Sequence, residues 1–164
     1  MVKLKSFFVI SFFLILSFIF DSQIVLLLEG VIPGPFLFSS HMSLIALLYF
    51  EKKYSSFGLY LISVILGLIV DSYFYHTVGL AIFIYPLLVY LVKKHSGLIS
   101  MGFTRFLMMV VLILIFEGGT YFLAVVYGLT KYPINLAMAY HLMPTLVLNS
   151  LVLLGVSPIF KSVT

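Results

Sequence analysis

The sequence predicts an all-α integral membrane protein with six transmembrane helices and both termini cytoplasmic. Three observations carry that reading. The 164-residue chain is 63% hydrophobic and only 9% charged, where soluble domains average about 25% charged residues. Its mean hydropathy of +1.28 is spread over six apolar segments separated by short polar turns. The third observation is that the basic residues cluster at alternate ends of those segments. No polar block is long enough to fold separately, so residues 1–164 read as a single polytopic membrane domain.

The N-terminus, MVKLKSFFVISFFLILSFIF, has the basic start and apolar run of a signal peptide. It lacks a small-x-small cleavage site before Asp21 and is followed by further apolar spans, so it reads as an uncleaved first helix. That helix runs from about Ser6 to Leu28, interrupted by Asp21-Ser22-Gln23, and ends at the turn-rich Glu29–Pro35. The second segment is short, about Phe36–Phe50, and stops at Glu51-Lys52-Lys53. The third covers about Phe57–Tyr73, and the fourth about Thr77–Val92 before Lys93-Lys94-His95. The fifth, Phe106–Tyr127, is the clearest, and the sixth runs from about Asn135 to Phe160. A helix needs about 20 residues to cross the hydrocarbon core, so segments two to four are near or below that length.

Charge settles the count. With six spans and a cytoplasmic N-terminus, Lys3, Lys5, Lys52, Lys53, Lys93, Lys94, Arg105 and Lys161 lie inside and only Lys131 lies outside. Eight of nine basic residues on one side is what the positive-inside rule requires. Removing the second span would put Lys52 and Lys53 on the wrong face.

Several function classes drop out. The absence of cysteine excludes disulfides, thiolate metal sites and thiol nucleophiles. There is no basic run for nucleic acid, no HExxH, no GxSG, no phosphate loop and no paired Asp on adjacent helices. His41, His76, His95 and His141 show no ligand spacing and read as scatter. No enzymatic activity, cofactor or metal is therefore expected.

Function is then read from polar groups that the bilayer makes costly, about 2.5–3.5 kcal/mol for a charged side chain at a helix centre. Ser63, Gly67 and Asp71 fall at i, i+4 and i+8, one face of the third helix. That stripe is either a docking or ligand-facing surface, or a packing seam whose Asp71 caps the following turn through the Tyr73–Thr77 amides. Glu117 sits near the middle of the fifth helix, beside Gly118-Gly119 and one turn from Tyr121, which could share its proton network. His141, Thr145 and Asn149 form a second i, i+4, i+8 stripe, with Pro144 bending the helix beside it. Glu117 and Asn149 fall at similar depth, so a hydrogen bond or shared polar cavity is expected between them. Interhelical glue is the plainer use of such groups.

Gly67 and Asp71, then Gly79, then Tyr85-Pro86 and Tyr90 resemble the central signature of the rod shape-determining protein MreD family. Pro144-Thr145 with Asn149, the Asp21-Ser22-Gln23 patch before a Pro/Gly turn, and Glu117 extend the resemblance over nearly the whole chain. The aromatic loop SYFYHTV between Asp71 and Gly79 departs from the small residues common in that family. The resemblance implies a non-enzymatic scaffold of bacterial cell elongation in the cytoplasmic (inner) membrane. It implies an MreC-type bitopic partner, with a RodA-type glycosyltransferase, a class B penicillin-binding protein and MreB in the same machinery, and a fold like the substrate-binding subunits of energy-coupling-factor transporters. Gly67, Asp71, Gly79, Glu117, Pro144 and Asn149 would be its partner-binding or structural residues. The rival is a vitamin-type substrate-binding subunit with Asp71, Glu117 and Asn149 lining a pocket. Against it, the first helix lacks the Ala-x-x-x-Ala docking motif and offers only Ser11 and Ser17, six apart.

Overall fold

The computed structural model describes residues 2–32, 34–52, 55–97, 99 and 102–163, with no side-chain description for residues 1–11, 13 and 159–164. Lys53 of the charge argument lies outside the described residues, as do the side chains of Lys3, Lys5, Ser11 and Lys161. Among the described residues the chain is all-helical. It comprises α1 (Val2–Val31), α2 (Met42–Phe50), α3 (Ser56–Val70), α4 (Ala81–Lys94), α5 (Gly102–Val126), α6 (Ile134–Ala137) and α7 (Met143–Val163). A π turn, Asp71–Tyr75, extends α3, and a second, Met138–Leu142, joins α6 to α7 into one continuous run. Six helical bodies result. Four of them, carried by α1, α3 with its π turn, α5 and the α6–α7 run, are long and apolar enough to cross a membrane.

The second segment departs most from expectation. Only Met42–Phe50 is helical, nine residues, while residues 36–41 are non-helical. This shortest of the six helical bodies is also the most enclosed, with every residue from Ser43 to Phe50 buried. A helix that is apolar on all sides belongs inside a bundle, and MSLIALLYF has no polar face to turn outward. Leu44, Ile45 and Phe50 meet Leu59, Leu88, Met109, Leu112 and Ile113 in one core. The long helices carry the outward apolar surface, for example Leu26 and Leu27 on α1, Phe122 on α5 and Leu151 and Leu154 on α7.

One further boundary differs from the sequence reading. Asp21-Ser22-Gln23 does not interrupt α1, which runs unbroken through it. The Ser22 hydroxyl donates back to the Ile19 carbonyl at 2.9 Å, so it adds no demand on neighbouring helices. Gly118-Gly119 sits within α5, which runs unbroken as the sequence indicated. Gly119 lies against Ile84 of α4, and Gly118 has open space where a Cβ would point.

The α3–α4 hairpin is drawn tight by one glycine. A Cβ on Gly67 would lie 2.5 Å from the Cα of Ile82, so the two backbones touch there and no side chain fits. At the turn, His76 and Gly79 take φ of 51° and 120°, and only glycine adopts the second without strain. At the opposite end of the bundle, the Lys93 ammonium donates to the Glu51 carbonyl, and the Arg105 guanidinium lies 4.1 Å over the Tyr49 ring.

Candidate functional site

Residues 36–41 place non-helical backbone inside the bundle. Such backbone survives in a membrane protein only where other protein groups satisfy its N–H and C=O. Two elements do so, the second π turn and α7. The Leu37 N–H donates to the Tyr140 carbonyl at 2.8 Å, and the Ser39 N–H to Thr145 Oγ1 at 3.1 Å. Asn149 works from both ends of its amide: Oδ1 accepts from the His41 N–H at 2.7 Å, and Nδ2 donates to the Ser39 carbonyl at 2.8 Å.

Asp21 completes the set from α1. His41 is the N-cap of α2 and makes no side-chain cap bond, leaving the first amides of a buried helix without partners. The Asp21 carboxylate supplies them from another helix. Oδ1 accepts from Met42 N at 2.7 Å and from the Ser40 hydroxyl at 2.5 Å, and Oδ2 accepts from Ser43 N at 3.3 Å. A carboxylate at a helix N-terminus also meets the positive end of the helix dipole.

Pro144 explains why Tyr140 is available. Proline has no N–H and its ring displaces the carbonyl four residues earlier, which here belongs to Tyr140. The run absorbs the mismatch in the π turn Met138–Leu142, and the released carbonyl takes the Leu37 N–H. The expected bend at Pro144 is thus a docking point for residues 36–41.

Glu117 lies at the centre of this arrangement. His41 Nε2 is 2.7 Å from its Oε1 and His141 Nε2 is 2.8 Å from its Oε2. An ionised carboxylate only accepts, so each ring presents an Nε2–H to it. His41 and Glu117 are buried, while His141 is about a quarter exposed. The His41 ring also meets Phe116 edge to face, centroids 5.0 Å apart.

The structure therefore changes three expectations. Glu117 and Asn149 do not bond directly; His41 joins them, its ring on Glu117 and its backbone on Asn149. Tyr121 turns away from Glu117, and its hydroxyl donates to the Tyr132 carbonyl at 2.7 Å. The four histidines are not all scatter, since two converge on one carboxylate from positions 100 residues apart. Among the described residues no group of His, Asp or Glu has the arrangement of a metal site. Local spacing could not have revealed the pair. The available signal was His41 itself, a poor cap immediately before a buried apolar run.

Asp71 forms a separate centre in the α3–α4 hairpin. It is fully buried and accepts from Gly79 N at 2.8 Å, Ala81 N at 2.6 Å and Ile82 N at 3.2 Å. It caps the start of α4, rather than the Tyr73–Thr77 amides expected from sequence. Ser63, Gly67 and Asp71 do share one buried face, with the Ser63 hydroxyl returned to the Tyr60 carbonyl at 2.7 Å. Of the predicted residues, Gly67, Asp71 and Gly79 thus meet in the hairpin, and Glu117, Pro144 and Asn149 meet around residues 36–41.

The sequence profile described as rod shape-determining protein MreD matches residues 2–162. The chain belongs to the MreD family. The cell shape-determining protein MreD of Streptococcus pneumoniae (strain ATCC BAA-255 / R6) is 35% identical to it over 145 residues, covering 87% of this chain and 88% of that one. No solved structure matches the chain. As an MreD-family member it is a multi-pass protein of the bacterial cytoplasmic membrane with a role in the cell-shape machinery, and MreD is not a known enzyme family.

Proposed function

We propose that this MreD-family protein is a non-enzymatic scaffold that holds an MreC-type bitopic membrane protein in register with the rest of the elongation machinery. A RodA-type glycosyltransferase, a class B penicillin-binding protein and MreB are the further proposed members. The observation that supports this reading is the use made of the buried acids. Both oxygens of Asp21, Asp71 and Glu117 accept hydrogen bonds from the protein's own amides, hydroxyls or imidazoles. Carboxylates spent on fixing backbone suit a rigid platform better than an acid–base catalyst, which must release its partner during turnover.

In this reading residues 1–164 act as one domain with six crossings and both termini inside. The second crossing is residues 36–50: nine helical residues rise about 14 Å, and six non-helical ones reach at most about 20 Å. Together they match the roughly 30 Å core. Gly67, Asp71 and Gly79 fix the hairpin that the partner reads, while Glu117, Pro144 and Asn149 fix the segment beside it. Tyr73 and Val78, both about two-thirds exposed at the hairpin tip, offer apolar surface to the partner's helix. Co-purification with the MreC-type partner tests the proposal. Val78→Lys should reduce the complex without changing the stability of the isolated chain; failure of the wild-type pair to co-purify in any mild detergent or nanodisc would overturn it.

A further inference from the structure

Two stretches of irregular backbone inside the bundle meet at one carboxylate. Residues 36–41 are non-helical and end at His41, and the π turn Met138–Leu142 carries His141. Each imidazole donates Nε2–H to a different oxygen of Glu117, at 2.7 Å and 2.8 Å. The Leu37 N–H on the Tyr140 carbonyl ties the same two stretches directly. π turns within helices recur at functional sites, and this one is fastened to its irregular neighbour through groups that can gain or lose a proton.

The surroundings of the cluster constrain its charge. Two neutral imidazoles on an ionised carboxylate leave a net charge of minus one, and an uncompensated charge is among the costliest things a bilayer interior can hold. Among the described residues no lysine or arginine lines either cavity beside the cluster. The other titratable groups lining those cavities are Asp21 and Glu29 on α1, Tyr75 on the first π turn, Tyr85 on α4 and Tyr121 on α5. Tyrosines ordinarily stay neutral below about pH 10. Asp21 is taken up by the first amides of α2, and Glu29 is exposed. From α7, Thr145 and Asn149 reach residues 36–41, and neither titrates. Neutrality therefore has to come from within the cluster, by one additional proton.

We propose that the His41–Glu117–His141 cluster carries one extra proton and acts as a pH-sensitive clamp between residues 36–41 and the second π turn. With the proton, one ring is an imidazolium and its bond to Glu117 is charge-assisted, roughly twice as strong as a neutral one. The proton exchanges through His141, whose side chain is about a quarter exposed, while His41 and Glu117 are buried. A free histidine releases its proton near pH 6.5. The folded cluster keeps it to higher pH, because release would leave a buried net charge, so the clamp weakens as pH rises above about 6.5. Tyr75, Glu117 and His141 form a common wall between the two cavities, and loosening at His141 joins them.

Histidine protonation and local protection test the clamp together. The purified chain is placed in nanodiscs of neutral lipid, with His76→Gln and His95→Gln leaving only the two cluster histidines. Nuclear magnetic resonance of isotope-labelled histidine at about pH 7.5 should find the equivalent of one protonated ring, and Glu117→Gln should leave both rings neutral. Hydrogen-exchange protection, corrected for intrinsic rates, should fall jointly at residues 37–43 and 138–142 between about pH 6.5 and 9, by up to about tenfold per pH unit, the limit for a single proton. Glu117→Gln should flatten that dependence while keeping protection close to wild type near neutrality. Two neutral rings in the wild-type cluster, a pH dependence that survives Glu117→Gln, or protection lost in one stretch alone would each overturn the proposal.

Discussion

Asp71 and Glu117 are both buried acids in oily helices, yet they answer to different chemistry. Asp71 receives three backbone donors, and an alanine there would leave those amides without an acceptor in a dry hairpin. Asp71→Ala should cost about 2–4 kcal/mol, read as a lowered unfolding midpoint in detergent, while Asp71→Asn should keep part of the cap. Glu117 receives two imidazoles. A glutamine at 117 keeps one acceptor oxygen and turns its amide toward the other ring, which then takes the Nδ1–H tautomer. Glu117→Gln should therefore approach wild-type stability, whereas Glu117→Leu strands both rings and should lower it by about 3 kcal/mol. A glutamine variant as unstable as the leucine variant would show that a full charge is needed. Gly67→Ala should cost about 1–3 kcal/mol through overpacking, since its Cβ would meet the Ile82 backbone.

Among the elements, residues 36–41 depend most on groups distant in sequence. Their partners lie on α1, α5, the second π turn and α7. Asn149→Ala removes an acceptor from the His41 amide and a donor from the Ser39 carbonyl, so these residues should loosen as a unit. Hydrogen exchange would report it as lost protection at residues 39–43. Pro144→Ala should act in a more specific way. It restores an N–H that competes for the Tyr140 carbonyl, so the Leu37 amide should lose protection while the helix around residue 144 gains it. A straightened helix with Leu37 still protected would show that the π turn has another cause.

Across the whole molecule, the unusual arrangement is that the shortest of the six helical bodies lies wholly within the core while the long helices carry the outward apolar surface. Its N-terminus needs Asp21 as a cap, and this couples α1 to α2 through charge and hydrogen bonds as well as packing. The proposed topology can be mapped directly because the chain has no native cysteine. Single cysteines at Lys52 and His95 should react with a membrane-impermeant thiol reagent only from the cytoplasmic side, and those at Gly34 and Lys131 only from outside. Equal labelling of Gly34 and Lys52 from one face would mean that residues 36–50 re-enter rather than cross.

Composition and helical periodicity determined a good deal alone: an all-helical membrane protein, the approximate bounds of its long helices, and the two polar stripes at Ser63–Asp71 and His141–Asn149. These are legible because the cost of exposing polar backbone to lipid makes long apolar runs helical whatever their neighbours. The MreD resemblance also rested on local order and spacing. Tertiary structure alone decided which residues Asp21, Glu117 and Asn149 serve. The pairings of Asp21 with Met42, His41 with Glu117, and Glu117 with His141 join positions far apart in sequence, and no local pattern encodes a partner across the bundle. It also decided that residues 36–41 are non-helical. Phe36, Leu37 and Phe38 alone do not exclude a helix; the carbonyl, hydroxyl and amide groups of the π turn and α7 supply the hydrogen bonds that let this backbone leave it.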